Sequence, residues 1–177
     1  MDRPSYEQVV EFHGHSCPGL ALGYRMTVAG LEALGVERAC DEELVAVVEN
    51  DACGVDAVQY LAGCTFGKGN LVFRDYGKPV YTFINRRTGQ AVRVAGHRRG
   101  LPEGLGESRR ARIEWLLGAP DEQVLSCQSV EVAPPPPAAL HGSGLCDRCG
   151  ERVMETRLRT VAGRRLCIPC AEAERSN

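Results

Sequence analysis

The sequence predicts an α+β fold, with helices packed on a mainly antiparallel sheet and a small zinc-held module attached behind it. Three observations carry this reading. Two well-capped helical segments precede one wholly apolar, β-branched run, Leu44-Val45-Ala46-Val47-Val48. Strand-and-turn segments follow from Leu71, and a proline-rich break near residue 133 separates all of this from two Cys-x-x-Cys pairs. At 177 residues the chain holds one domain of ordinary size plus an appendage. A net charge of −2 argues against a general polyanion binder. No apolar run reaches the roughly 18 residues that a membrane span needs.

Ser5 and Gln8 are spaced as a capping box and open the first helix. Tyr6, Val9, Val10 and His13 share one face, which gives His13 an ordinary core role to set against a ligand role. Gly14 is a stop signal, and His15 and Ser16 form a very short connection. Pro18 suits the first position of a second helix and pushes Cys17 out to the N-cap. Along that helix Leu20, Tyr24, Val28 and Leu31 form the buried stripe, Arg25 and Glu32 face outward, and Gly35 ends it. Cys40 falls in a polar loop with no chemistry attached to it.

The run from Leu44 reads as a central strand buried on both faces, followed by a loop with Cys53 and a third helix over about residues 55–62. Residues 65–70 form a glycine-rich turn without the spacing of a phosphate-binding loop, and Lys68 is free there to meet an anion. Strands are expected at 71–74, 80–84 and 90–94, joined by turns at 75–78 and 86–89 into an antiparallel meander. A polar stretch with adjacent Arg98 and Arg99 leads to a helix over about residues 107–117. Its apolar side is Ile113, Leu116 and Leu117, and Arg109, Arg110 and Arg112 form a solvated face. A last strand at 124–132 carries Cys127 as a small buried hydrophobe. The core domain is therefore 1–132. A linker at 133–144 begins with a polyproline II spacer at Pro134 to Pro137, and the zinc module is 145–177.

Nine cysteines, with no apolar leader in Met1-Asp2-Arg3-Pro4-Ser5-Tyr6-Glu7, point to a reducing cytoplasm and to metal ligation or catalysis. Cys146, Cys149, Cys167 and Cys170 form two pairs 17 residues apart, the pattern of a closed, structural zinc site. Seven arginines against five acidic residues make residues 146–177 mildly basic. No aromatic residue stands between the pairs to stack a base, which argues against nucleic acid and for a protein partner. In the core, the N-cap position favours the Cys17 thiolate, and His15 lies beside it, so these two are the candidate catalytic residues. His13, His15, Cys17, Cys53 and Cys64 are the candidate ligands of a second, divalent metal. Two other readings stand beside this one. Cys17 can be a redox or nucleophilic thiol resolved by Cys53 or Cys64, or the chain can be an adaptor that recruits its partner through the zinc module.

Phe12-His13-Gly14-His15-Ser16-Cys17-Pro18-Gly19, residues 51–59, residues 63–70 and Asp75-Tyr76-Gly77-Lys78 resemble the FmdE family of formylmethanofuran dehydrogenase proteins. The likeness continues through Met154-Glu155-Thr156-Arg157 in the tail. It implies an α+β core, a homodimer, a His/Cys metal or active-site cleft, and a treble-clef-like zinc finger. It also implies association with a molybdenum formylmethanofuran dehydrogenase complex, without the catalytic pterin site. No substrate follows from it.

Overall fold

A computed structural model describes residues 3–97, 102, 104–105 and 108–175. The chain divides into two compact units, 1–138 and 139–177. The Arg98–Arg99 pair lies outside the described residues.

In the first unit, α1 (Tyr6–His13) is opened by the expected capping box. Ser5 accepts from the Gln8 backbone, and the Gln8 side chain accepts from the Ser5 N–H. Gly14, at φ +93°, closes it in the left-handed conformation that glycine adopts without penalty. α2 (Pro18–Leu34) starts on Cys17 and ends at Gly35 as the sequence indicates. Its buried face is broader than the predicted stripe. Leu20, Ala21, Met26 and Leu31 are buried, whereas Tyr24 and Val28 are only partly so. Arg25, expected to face solvent, instead reaches the end of α4 (Arg109–Gly118). It donates to the carbonyls of Leu116, Leu117 and Ala119 and to Asp121, satisfying acceptors that the helix end leaves open.

β1 (Leu44–Val48) is buried at every residue, as its composition requires. The third helix is shorter than expected: α3 (Gly54–Ala57) widens into a π turn at Val58–Ala62. β2 (Leu71–Phe73) then pairs parallel with β1. This corrects the expected meander, because the intervening helical turns carry the chain back to the end of the sheet where β1 began. β3 (Val80–Asn85), β4 (Ala91–Gly96) and β5 (Leu125–Val130) do form an antiparallel meander, and the sheet order is β2-β1-β3-β4-β5. Residue 124 belongs to the short helix α5 (Asp121–Val124) rather than to the last strand. Cys127 is exposed, not buried, because β5 is an edge strand.

The helices cover one face of the sheet, where Leu20, Met26 and Leu31 meet Leu44, Val48, Phe83 and Val94. Val45, Val47 and Ile84 are buried on the other face. The Lys68 ammonium folds back on the chain and donates to the carbonyls of Ala39 and Asp41. Among the described residues no helix is long and apolar enough to cross a membrane.

In the second unit, β6 (Ser143–Leu145) pairs with β7 (Arg152–Met154). A 3-10 turn at Glu155–Arg157 leads to β8 (Leu158–Val161), which pairs with β9 (Arg164–Cys167), and α6 (Ile168–Arg175) follows. Residues 153–154 pair backwards with β6, and β8 turns into β9 through Ala162 and Gly163, both at positive φ.

Candidate metal centre

Four side chains from two stretches of the first unit converge. They are His13 from the last turn of α1, His15 from the connection, Cys17 capping α2 and Cys53 just before α3. One donor atom from each lies within 4.8 Å of the others.

Local chemistry sets the first three. The left-handed Gly14 reverses the chain after α1, so two residues suffice to reach the next helix. Cys17 sits in extended backbone, and its sulfur accepts from the Leu20 N–H at 3.3 Å, one of the donors a helix start leaves unpaired. The loop between is pinned from two sides. The Tyr6 hydroxyl bonds Ser16 Oγ at 2.9 Å, and Arg109 donates to the Ser16 carbonyl at 2.8 Å. Arg109 is therefore more than part of a solvated face.

Cys53 arrives by tertiary packing. A Cβ built on Gly23 would overlap Gly54 Cα and lie 2.5 Å from the Gly54 carbonyl oxygen. Only two glycines let α2 and α3 approach this closely, and the approach lays Cys53 against Gly19, in the first turn of α2. Burial pushes the Cys53 thiol up, and the neighbouring Cys17 thiol adds to the shift.

His13 Nδ1 is 2.6 Å from Asp56 Oδ2, and Gln59 donates to the other Asp56 oxygen at 3.0 Å. A carboxylate at Nδ1 fixes the tautomer with its proton there, so Nε2 is left as an acceptor. That Nε2 is buried and has no hydrogen-bond partner, on a side chain only 10% exposed. An orphaned imidazole nitrogen among thiols, backed by a carboxylate, is how a metal-ligating histidine is held. His15 lies 4.5 Å from His13, ring centroid to ring centroid, and is exposed. Tetrahedral zinc with bonds of about 2.0–2.3 Å separates neighbouring donors by roughly 3.3–3.8 Å, so this two-sulfur, two-nitrogen set fits a divalent ion with little closure.

Cys64 is not brought to this group. Its side chain is fully buried, its sulfur donates to the Leu44 carbonyl at 3.5 Å, and burial pushes the thiol up to about 12. Asp56, Gln59, Gly23 and Arg109 were not identified as site residues from the sequence. Asp56 lies 43 residues from His13, and no spacing rule links them.

Beside the centre lies a cleft of about 360 Å³ lined by His13, Cys53 and Asp56, by Asn50, Asp51 and Gln59, and by two phenylalanines. A larger hollow of about 680 Å³ at the far end of α2 contains none of the candidate ligands.

In the second unit the sulfurs of Cys146, Cys149, Cys167 and Cys170 also lie within 4.8 Å of one another. The backbone N–H groups of Cys149 and Cys167 hold the Cys146 thiol down to about 6, favouring the thiolate that binds zinc. Four thiolates leave no open position, so this site is structural.

Both units have counterparts among known proteins. Residues 12–126 match the model of the family described as "FmdE, Molybdenum formylmethanofuran dehydrogenase operon", and residues 142–175 match the prokaryotic dksA/traR C4-type zinc finger. A probable S-adenosyl-L-methionine-binding protein of Archaeoglobus fulgidus is 33% identical over 91% of this chain. The chain spans about half the length of that curated relative. A crystal structure of a tungsten formylmethanofuran dehydrogenase FmdE-like protein from Syntrophus aciditrophicus superposes with a TM-score of 0.75. It is 24% identical, and the match covers 98% of both chains.

Proposed function

The chain belongs to the FmdE family and carries a C4-type zinc finger, and from that premise we propose that its core is a metal centre acting on a small molecule. The observation that carries this is the buried, unpartnered Nε2 of His13, whose other nitrogen is held by Asp56. His13, Cys17 and Cys53 hold the ion. His15, exposed at the mouth, completes the shell or yields its place and moves a proton at its free nitrogen. A divalent ion in such a shell supplies Lewis-acid polarisation of a bound oxygen. The chain's own residues do the rest. Asp56 orients His13, the N-cap amide steadies the Cys17 sulfur, and the α2–α3 contact keeps water from the buried side.

We propose association with a molybdenum formylmethanofuran dehydrogenase, which the operon named in the family description supports, a reducing cytoplasmic setting, which the nine cysteines support, and a homodimer, which the family resemblance implies. The S-adenosyl-L-methionine binding named for the Archaeoglobus protein is not carried over, since only half of that protein is matched.

Metal analysis tests the centre. The wild type is expected to hold two ions per chain, and Cys17→Ser or His13→Ala is expected to hold one, retained by the zinc finger. A single ion in all three proteins refutes the core site.

The closeness of the Cys17 and Cys53 sulfurs, within 4.8 Å of each other, favours one second reading, thiol–disulfide exchange. The Cys17 thiolate attacks a substrate disulfide and expels one thiol. Cys53 then attacks the mixed disulfide and expels the other, leaving a Cys17–Cys53 disulfide. Metal-free wild type that reduces a model disulfide, with Cys53→Ser trapped as the mixed disulfide, would support it.

A further inference from the structure

The cleft beside the centre carries more information than the ligands do, because its walls divide by chemistry. Two aromatic rings line it, and both are held out toward solvent: Phe66 is 66% exposed and Phe73 is 39% exposed. Phe66 stands on the tight 65–70 turn, whose backbone closes with Gly69 N–H donating to the Phe66 carbonyl. A ring presented on a rigid turn into a cleft is poised to cover something flat. Val48 and Val55 add apolar lining.

The charged lining has one sign. Asp51 and Asp56 face the cleft, and neither lysine nor arginine lines it among the described residues. Asp56 is committed to His13 and Gln59. Asp51 is exposed and its carboxylate makes no hydrogen bond among the described residues. Arg109 donates to the Ser16 carbonyl and Lys68 to the carbonyls of Ala39 and Asp41, and neither lines the cleft. The described lining thus presents two aspartates and no lysine or arginine to offset them. Such a site repels carboxylates and phosphates and accepts neutral or positively charged groups. The acidic residues do not stand alone here: the buried, unpartnered His13 Nε2 belongs to the same cleft.

We propose that this cleft binds a small, uncharged or cationic aromatic molecule, its ring against Phe66 and Phe73 and its polar head at Asp51 and Gln59 beside the metal ligands. A volume of about 360 Å³ admits a single ring system with a short polar arm. The inference deepens the metal-centre reading and takes its reactive end from it, but the charge and shape preference belongs to the cleft itself.

Fluorine NMR titration of the full-length protein tests it with three probes of one shape: para-fluorobenzylamine, para-fluorobenzamide and para-fluorobenzoate. The amine and the amide are expected to bind, with the benzoate weaker by about tenfold or more. Asp51→Asn is expected to narrow that ratio. Phe66→Ala with Phe73→Ala is expected to weaken amine and amide alike by about fivefold and leave the ratio unchanged. Both phenylalanines are exposed enough that their removal leaves the core packing intact. Benzoate binding as tightly as the amine, no binding of any probe, or no effect of the phenylalanine changes would each overturn the proposal. The same titration of Cys17→Ser separates the two claims. If the core holds no metal, wild type and variant bind the probes alike and the preference stands. If the cleft reading fails, the preference is missing from both.

Discussion

Gly23 and Gly54 meet backbone to backbone, and that contact brings Cys53 to Cys17. A Cβ on Gly54 would overlap the Tyr81 hydroxyl and sit 3.0 Å from both the Gly19 carbonyl and Gly23 Cα. There is no room on either side. Gly23→Ala is therefore expected to destabilise the core by about 1–3 kcal/mol through forced separation of the helices. It should also lose the core ion while the zinc-finger ion stays. Thermal unfolding and metal analysis on one sample check this.

Asp56→Asn leaves a hydrogen-bonding group against His13 but removes the charge that fixes the tautomer. Affinity of the core for its ion should fall by about 10–100-fold with the fold intact. Competition with a chelator of known affinity measures it.

Cys64 gives a pH dependence with a definite sign. Its folded thiol is raised to about 12, above the roughly 8.5 of an unfolded cysteine. The stability it contributes is fully present below the unfolded value and is lost as pH rises toward the folded one. Urea unfolding should therefore show stability falling above about pH 8.5, with a slope from this residue approaching about 1.4 kcal/mol per pH unit. Cys64→Ala should flatten that slope, and in the folded wild type Cys64 should resist alkylation.

Ala162 stands at φ +49°, where L-residues other than asparagine and aspartate are strained. Ala162→Gly is expected to stabilise the zinc module by about 0.5–1 kcal/mol. Hydrogen exchange of the β8–β9 amides reports it.

Arg25 closes the end of α4 through bonds to three carbonyls and Asp121. Arg25→Met keeps most of the stem and removes those donors. A loss of about 2–4 kcal/mol in denaturant unfolding is expected.

The sequence by itself determined what is local. Caps, stops and the cysteine knuckles follow from backbone hydrogen bonds that must be satisfied within a few residues. Ser5, Gly14, Cys17 and Gly35 therefore stand where their types say, and the four tail cysteines meet as their spacing requires. The continuous apolar run from Leu44 sufficed to bury β1 on both faces. What only the tertiary structure decided is long-range. It chose Cys53 over Cys64 as neighbour of Cys17, turned β2 parallel to β1, took Arg25 away from solvent and gave His13 a carboxylate 43 residues distant. Helical periodicity correctly put His13 on an inward face, but the same burial is what leaves its free nitrogen without a partner and suited to a ligand role. That difference rests on whether a donor answers Nε2, and the answer depends on how α1, α2 and α3 pack. No stretch of the sequence contains all three.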